Sequence, residues 1–231
     1  MPGRATAAGK PVPKGSPSKE AGKSDPALWE FDADLLAEFP ILCGVDEVGR
    51  GPLAGNVVAA CVILDFTSRP IVGLNDSKKL TAAKREELFL EIRARAVAFG
   101  VGECTPAEID KHNILRASLL AMRRALEAMG KPPGLLLVDG NQNIPDVPWP
   151  QRTLVKGDGR SASIAAASIL AKVIRDRQMV DLHASHPEYG FDGHKGYATQ
   201  VHREAINRHG LTPFHRLSFC GKSTQQVDLF P

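Results

Sequence analysis

Val45-Asp46-Glu47-Val48-Gly49-Arg50-Gly51-Pro52-Leu53-Ala54-Gly55 is the stretch on which the reading of this chain turns. The apolar run at 41–45 reads as a short β-strand, and it delivers two adjacent carboxylates, Asp46 and Glu47, to its C-terminal end. Gly49 and Gly51 flank Arg50, and residues without a Cβ let a backbone approach a ligand closely. The glycines are not a dinucleotide fingerprint. Their spacing is GxGxxxG, and the segment that follows, 56–64, is rich in Val and Ile and reads as a second strand where that fingerprint needs a helix N-terminus. Gly221-Lys222-Ser223 likewise imitates the end of a phosphate loop, but the earlier glycine of such a loop would have to be at the position of Arg216.

Working outward, the body alternates strand and helix signals. Residues 81–96 have helical spacing at Leu88, Ile92 and Arg95, and 97–103 is a third strand. Thr105-Pro106-Ala107-Glu108 is a capping box with proline at the first helical position. The helix it opens carries Leu115, Leu119, Met122, Leu126 and Met129 on one face and ends at Gly130 and Pro132-Pro133. Residues 135–138 form a buried strand ending at Asp139, and 152–155 another that ends near Asp158. Residues 161–182 form a helix rich in small side chains, and 199–209 a last helix. The order predicts an α/β fold, a mixed central sheet flanked by helices with a helical C-terminal part.

Composition narrows the class. The chain has 231 residues, 43% of them hydrophobic, with 29 Lys+Arg against 26 Asp+Glu and a net charge of +3. The surplus lies in residues 1–27, where Arg4, Lys10, Lys14, Lys19 and Lys23 face only Glu20 and Asp25. The rest is neutral overall, which argues against binding nucleic acid by bulk charge alone. It is divided, however, into an acidic stretch at 28–150 and a basic one at 151–222. Residues 1–27 are rich in Pro, Gly, Ala and Ser and are expected to be a disordered basic tail, at most a weak electrostatic tether to nucleic acid. Residues 28–222 are expected to be one catalytic domain, followed by a short tail at 223–231. The longest apolar runs, 57–64 and 164–171, fall far short of the roughly 20 residues of a membrane helix. No secretory leader is visible, and Cys43, Cys61, Cys104 and Cys220 have no ligand spacing, so they read as thiols of a cytoplasmic protein.

Three strand ends carry acid: Asp46-Glu47, Asp139 and, shortly beyond Val155, Asp158. Any one of these could cap a turn or a helix. As a set at successive strand ends they mark the edge at which α/β folds place their sites. Gathered there they would repel one another, and no Lys or Arg shares those strand ends in sequence. Hard divalent cations with oxygen ligands, Mg²⁺ or Mn²⁺, fit such a group.

These residues resemble the signature of the bacterial ribonuclease HII family. The resemblance continues in family order through Leu74-Asn75-Asp76-Ser77-Lys78-Lys79-Leu80, Ile109-Asp110, Asn113-Ile114-Leu115 and Val138-Asp139-Gly140. It runs on through Val155-Lys156-Gly157-Asp158, Ala166-Ala167-Ser168-Ile169, Arg175-Asp176-Arg177, His194-Lys195-Gly196-Tyr197 and His215-Arg216-Leu217-Ser218-Phe219. Asn56 and Val48 depart from common family choices, but neither carries chemistry. The resemblance implies a ribonuclease H-like fold and an endonuclease acting on the RNA strand of RNA–DNA hybrids, including 5′-side nicking at single ribonucleotides embedded in DNA. It implies Asp46, Glu47, Asp139 and Asp158 as catalytic carboxylates and ligands of two divalent ions. It implies that the Gly49-Arg50-Gly51 backbone contacts the 2′-hydroxyl and that Tyr197 packs on the next, deoxy sugar. Lys78 and Lys79 are candidate phosphate contacts.

Gln226-Val227-Asp228-Leu229-Phe230-Pro231 resembles the short peptide by which bacterial repair proteins dock on the sliding clamp, with Gln226, Leu229 and Phe230 as anchors. Asp176 stands four residues after Lys172 and reads as one half of an intrahelical ion pair. Six of the seven histidines lie between 183 and 215, but without metal-ligand spacing, so they are expected to pack or to face solvent. The molecule is expected to act as a monomer.

Overall fold

The structure, a computed structural model, describes residues 26–221; the basic tail to residue 25 and the clamp-like C-terminal peptide lie outside them. The elements in order are α1 (Pro26–Leu36), β1 (Leu42–Val48), β2 (Val57–Ile63), α2 (Ala82–Arg95), β3 (Ala98–Cys104), α3 (Pro106–His112) and α4 (Ile114–Met129). There follow β4 (Leu135–Asp139), β5 (Gln151–Leu154), α5 (Ala162–Ser185), α6 (Phe191–His194), α7 (Gln200–His209) and α8 (Leu217–Cys220). The strands form one mixed sheet in the order β3-β2-β1-β4-β5. β1, β2 and β3 are antiparallel neighbours, and β4 and β5 run parallel to β1.

Helices cover both faces, which is why every residue of β2 is buried. One face carries α5, α2 and α1 over Ala60, Val62, Leu88, Ile92 and Ile169. The other carries α4 over Cys43, Val45, Val57, Ala59, Leu136 and Val138. Missing side chains bring the layers together. A Cβ at Gly44 of β1 would lie 2.1 Å from the Ser163 carbonyl carbon of α5, and one at Gly102 of β3 would lie 2.3 Å from the Ala121 oxygen of α4. The small residues of α5 that the sequence displays, Ala162, Ala165, Ala166, Ala167 and Ala171, are all buried there.

The helices foreseen at 81–96 and 199–209 form with Thr81 and Thr199 as side-chain caps, and the capping box of Thr105 and Glu108 is made. Three expectations are corrected. The helix opened by that box is not continuous: Asn113, at φ 64°, ends α3 and caps α4 by accepting the Arg116 N–H. The face α4 buries is Ala117, Ser118, Ala121, Met122, Ala125 and Leu126, so of the foreseen stripe Met122 and Leu126 are buried, Leu119 and Met129 pack partly buried against them, and only Leu115 is exposed. Finally, α1 was not foreseen and begins at Pro26, inside the segment read as disordered. It is tied to the body by Asp32, whose buried carboxylate accepts the Ser163 N–H in the first turn of α5.

Cys43, Cys61 and Cys104 are buried free thiols, as read, and Cys220 is half-buried. The histidines pack. His194 stacks on His202 at 4.5 Å, beside Tyr189, Phe191 and His215. Thr212 N–H donates to His215 Nδ1, the Nε2 atoms of His215 and His202 share a bond of 3.1 Å, and His202 Nδ1 donates to the Tyr197 carbonyl at 2.9 Å. That chain needs both rings neutral, and burial holds His202 below its ordinary range and His215 down to about 4.

Candidate active site

β1 and β4 lie side by side and parallel, in register from Leu42 with Leu135 to Val45 with Val138. The next residue of each is a carboxylate, so Asp46 and Asp139 leave the sheet together at one edge. Glu47 follows Asp46 within β1. Asp158 arrives from the turn after β5, a single 3₁₀ turn at Gly157–Gly159. Gly157 N–H donates to Asp139 Oδ1 at 2.6 Å, and a Cβ at Gly157 would lie 2.6 Å from Ile164 Cδ1, so a larger residue would have to displace the Ile164 tip.

Asp46 and Asp158 are each only 4% exposed. Burial, then the charges of Glu47 and Asp139, push the Asp46 carboxyl well above its ordinary range, although the Ser168 hydroxyl and the Glu47 N–H bond it. Burial also raises Glu47, against the pull of Arg50, and raises Asp139, against its bond from Gly157. Burial thus opposes the charged forms of Asp46, Glu47 and Asp139.

Cations do reach this group, contrary to the expectation from the strand ends. Lys78 Nζ stands 2.9 Å from Asp158 Oδ2, and Arg50 Nη1 stands 3.2 Å from Glu47 Oε1. Lys78 is presented by a 3₁₀ turn, Ser77–Lys79, which Asp76 caps by accepting the Lys78 N–H; Ser77 is pinned to Ser168 of α5 by a 2.9 Å hydroxyl pair. Lys79 of the same turn is exposed and makes no ion pair with the carboxylates. Among the described residues no three His, Cys, Asp or Glu side chains stand ready-made as a metal cage. The donor set is nonetheless all oxygen, carboxylate and mutually repelling, the chemistry a hard divalent ion complements. Asp176 is paired with Lys172 at 2.7 Å, the intrahelical ion pair read from the sequence.

Gly49, Arg50 and Gly51 form the loop that leaves β1 beside Glu47. Their glycines differ in purpose. A Cβ at Gly49, where φ is +91°, would strike Arg175 Nε at 2.2 Å, so that glycine makes room for an inner side chain. Gly51 is the open one: a Cβ there would meet only Tyr197 Cε1, at 3.7 Å. Tyr197 is 45% exposed and faces this loop across the edge of the site. Two residues that the sequence analysis passed over as chemistry, Arg175 and Arg216, lie directly behind the loop. Both stand in motifs already noted, but nothing local in sequence says where they point.

A mixed five-stranded sheet whose parallel β1 and β4 bring a buried Asp46 and a half-buried Asp139 to one edge defines a ribonuclease H-like nucleic-acid hydrolase. The comparisons agree. The chain resembles the crystal structure of the ribonuclease H2 from Pyrococcus horikoshii with a TM-score of 0.67 and 27% identity, over 80% of this chain and 95% of that one. It resembles the ribonuclease HII of Archaeoglobus fulgidus, solved in complex with PCNA, with a TM-score of 0.60 and 27% identity over 77% and 94%. It is 56% identical over 179 residues to "Ribonuclease HII" of Marinomonas sp., covering 78% of this chain and 89% of that protein. The family model "Ribonuclease HII" matches residues 43–222, and the chain belongs to that family, whose members are endonucleases acting on RNA–DNA hybrids.

Because burial raises Asp46, its charge costs stability at neutral pH in metal-free buffer. Asp46→Asn is expected to raise the melting temperature there, by about 2–4 °C for each kcal/mol relieved. The gain should shrink as pH falls through the raised pKa, where the wild-type carboxyl becomes neutral as well. Melting curves of both proteins across pH check this; an unchanged or lower melting temperature at pH 7 contradicts it.

Proposed function

We propose that this chain nicks the RNA strand of hybrids and the 5′ side of single ribonucleotides in duplex DNA, with Asp46, Glu47, Asp139 and Asp158 holding two divalent ions. The observation that carries the reading is the side-by-side exit of Asp46 and Asp139 from parallel strands, with Glu47 and Asp158 beside them. Mg²⁺ or Mn²⁺, when bound there, supplies an activated water and a stabilised leaving oxygen for in-line displacement. The residues of the chain do the rest. Asp139, oriented by Gly157 N–H, and Asp46, bonded by Ser168 and Glu47 N–H, hold their oxygens toward the shared edge. Arg50 and Lys78, the cations now paired with Glu47 and Asp158, turn to substrate phosphates once those carboxylates are engaged. Lys79 is a further phosphate contact from the same turn.

Asp139→Asn tests the reading. On a duplex holding one ribonucleotide, with Mg²⁺ or Mn²⁺ present, it is expected to lose about a thousandfold in rate, some 4 kcal/mol. Its affinity for the duplex should change little. Cleavage at the wild-type rate overturns the site.

The Gly49-Arg50-Gly51 backbone reads the 2′-hydroxyl, the one group that distinguishes RNA from DNA at a given nucleotide. Tyr197 packs on the following deoxy sugar and so reads the junction; its exposure and its approach to Gly51 support this. Tyr197→Ala should cost single-ribonucleotide substrates about 1–3 kcal/mol and long hybrids less. Equal losses in kcat/KM on the two substrates remove the junction-reading role.

The enzyme works in the cytoplasm as a monomer, in ribonucleotide removal from DNA and in RNA primer removal, with 28–222 as its catalytic domain. The peptide with Gln226, Leu229 and Phe230 docks on the sliding clamp, a reading supported by the clamp complex of the Archaeoglobus relative. Deleting 226–231 should abolish clamp binding in a pull-down and leave nicking intact; retained binding refutes it.

A further inference from the structure

The two largest wholly buried side chains of the described residues are both arginines, Arg175 and Arg216, each with 0% exposure. A buried guanidinium ordinarily has a carboxylate partner, because an unpaired buried charge is costly. Among the described residues neither of these has one within ion-pair distance. Arg175 donates to the carbonyls of Asn56 (3.0 Å), Ala54 (3.1 Å) and Lys195 (3.1 Å). Arg216 donates to Arg50 (3.0 Å), to Gly49 (2.6 Å) and twice to Gly55 (3.0 and 2.7 Å). Six carbonyls are gathered onto two cations, and five of them belong to the loop 49–56. The sixth, Lys195, precedes Tyr197 by two residues.

Other bonds fix the arginines themselves. Arg216 N–H donates to Leu53 O, Gly55 N–H to Phe214 O and Leu53 N–H to Gly196 O, so the loop is held between the Tyr197 turn and the 214–216 segment. Asp110 of α3 accepts the N–H groups of Leu217 and Ser218 and so anchors the short helix that follows Arg216. Gly49 lacks a Cβ just where Arg175 passes.

In a trans peptide the C=O and the N–H point in opposite directions. With the carbonyls of Gly49 and Arg50 turned inward onto Arg216, the N–H groups of Arg50 and Gly51 point away from that guanidinium. We propose that Arg175 and Arg216 are positioning residues for ribose recognition, which hold the Gly49-Arg50-Gly51 peptides with their N–H groups facing the substrate. This rests on the reading above that this loop senses the 2′-hydroxyl. The arginines touch no substrate; they act through the loop. Two positive charges behind it also favour the polyanion in front. A lysine has one compact ammonium and cannot reproduce either fork.

The test uses full-length protein carrying Asp139→Asn, with Mg²⁺ present, and two DNA duplexes identical except for one ribonucleotide. Fluorescence anisotropy gives the affinity for each. The parent should prefer the ribonucleotide duplex. Adding Arg216→Lys, or separately Arg175→Lys, should cut that preference at least about tenfold by weakening only the ribonucleotide duplex. Preference retained in both variants overturns the proposal and leaves the loop reading intact. Equal weakening on both duplexes also overturns it, since that is what a purely structural role gives. A parent without preference sinks the loop reading and this proposal with it. Should neither variant fold, amide exchange of the Asp139→Asn protein decides: the Arg50 and Gly51 amides should gain protection from the ribonucleotide duplex and not from the all-DNA one. Equal protection by both duplexes overturns the proposal.

Discussion

The parallel pairing of β1 with β4 is the constraint on which the rest depends. Register in a sheet is all or nothing: a slip of one residue would turn every side chain to the other face. In the register observed, Val45 stands beside Val138, and the carboxylates that follow emerge on the same line. The antiparallel β2 and β3 do not bring chemistry to the edge. They widen the sheet so that α5 on one face and α4 on the other can bury its centre. The close fit of α5 at Gly44 then brings Ser163 and Ser168 near the strand, and Ser168 bonds Asp46. The packing of small residues and the placing of the acid are therefore one event.

That arrangement sets burial against charge. Asp46, Glu47 and Asp139 are all raised by burial, and the bonds each carboxylate receives reduce the penalty without removing it. The same opposition appears inverted on the far side of the Gly49–Asn56 loop, where burial pulls Arg216 down to about 9 with Arg175 adding to it. There the guanidinium hydrogens are satisfied by backbone carbonyls of the loop rather than by carboxylates. Net charge misses this, because the acidic 28–150 and the basic 151–222 cancel in the total.

What was legible in the sequence follows from how local each signal is. Thr81, Thr105 and Thr199 bond the backbone three residues on, so their helices could be placed from the caps alone. Aspartates at the ends of apolar runs announced the site because the strand itself carries them to the edge. The break at Asn113 was hidden because the apolar spacing runs straight through it and only a positive φ marks it. The helix α1 was hidden because it is held by Asp32 on Ser163, partners 131 residues apart. The pairing of Lys78 with Asp158, 80 residues away, was missed for the same reason.

The arginines sharpen that distinction. Arg175 lies on a long helix and Arg216 just before a four-residue one, and neither spacing nor composition separates them from the surface arginines around them. Only the carbonyls they gather, all but that of Lys195 lying 119 to 167 residues away in sequence, separate them from Arg177, which lies over Phe89 at the surface. Gly49 shows the same thing from the other side. From sequence it is a glycine that lets a ligand approach, whereas in the structure the space it leaves is taken by Arg175, and Gly51 is the one left open. The loop is thus shaped from behind before anything meets it from the front. Buried charge satisfied by backbone holds it, an arrangement that fixes peptide orientation because each guanidinium hydrogen has a direction as well as a distance.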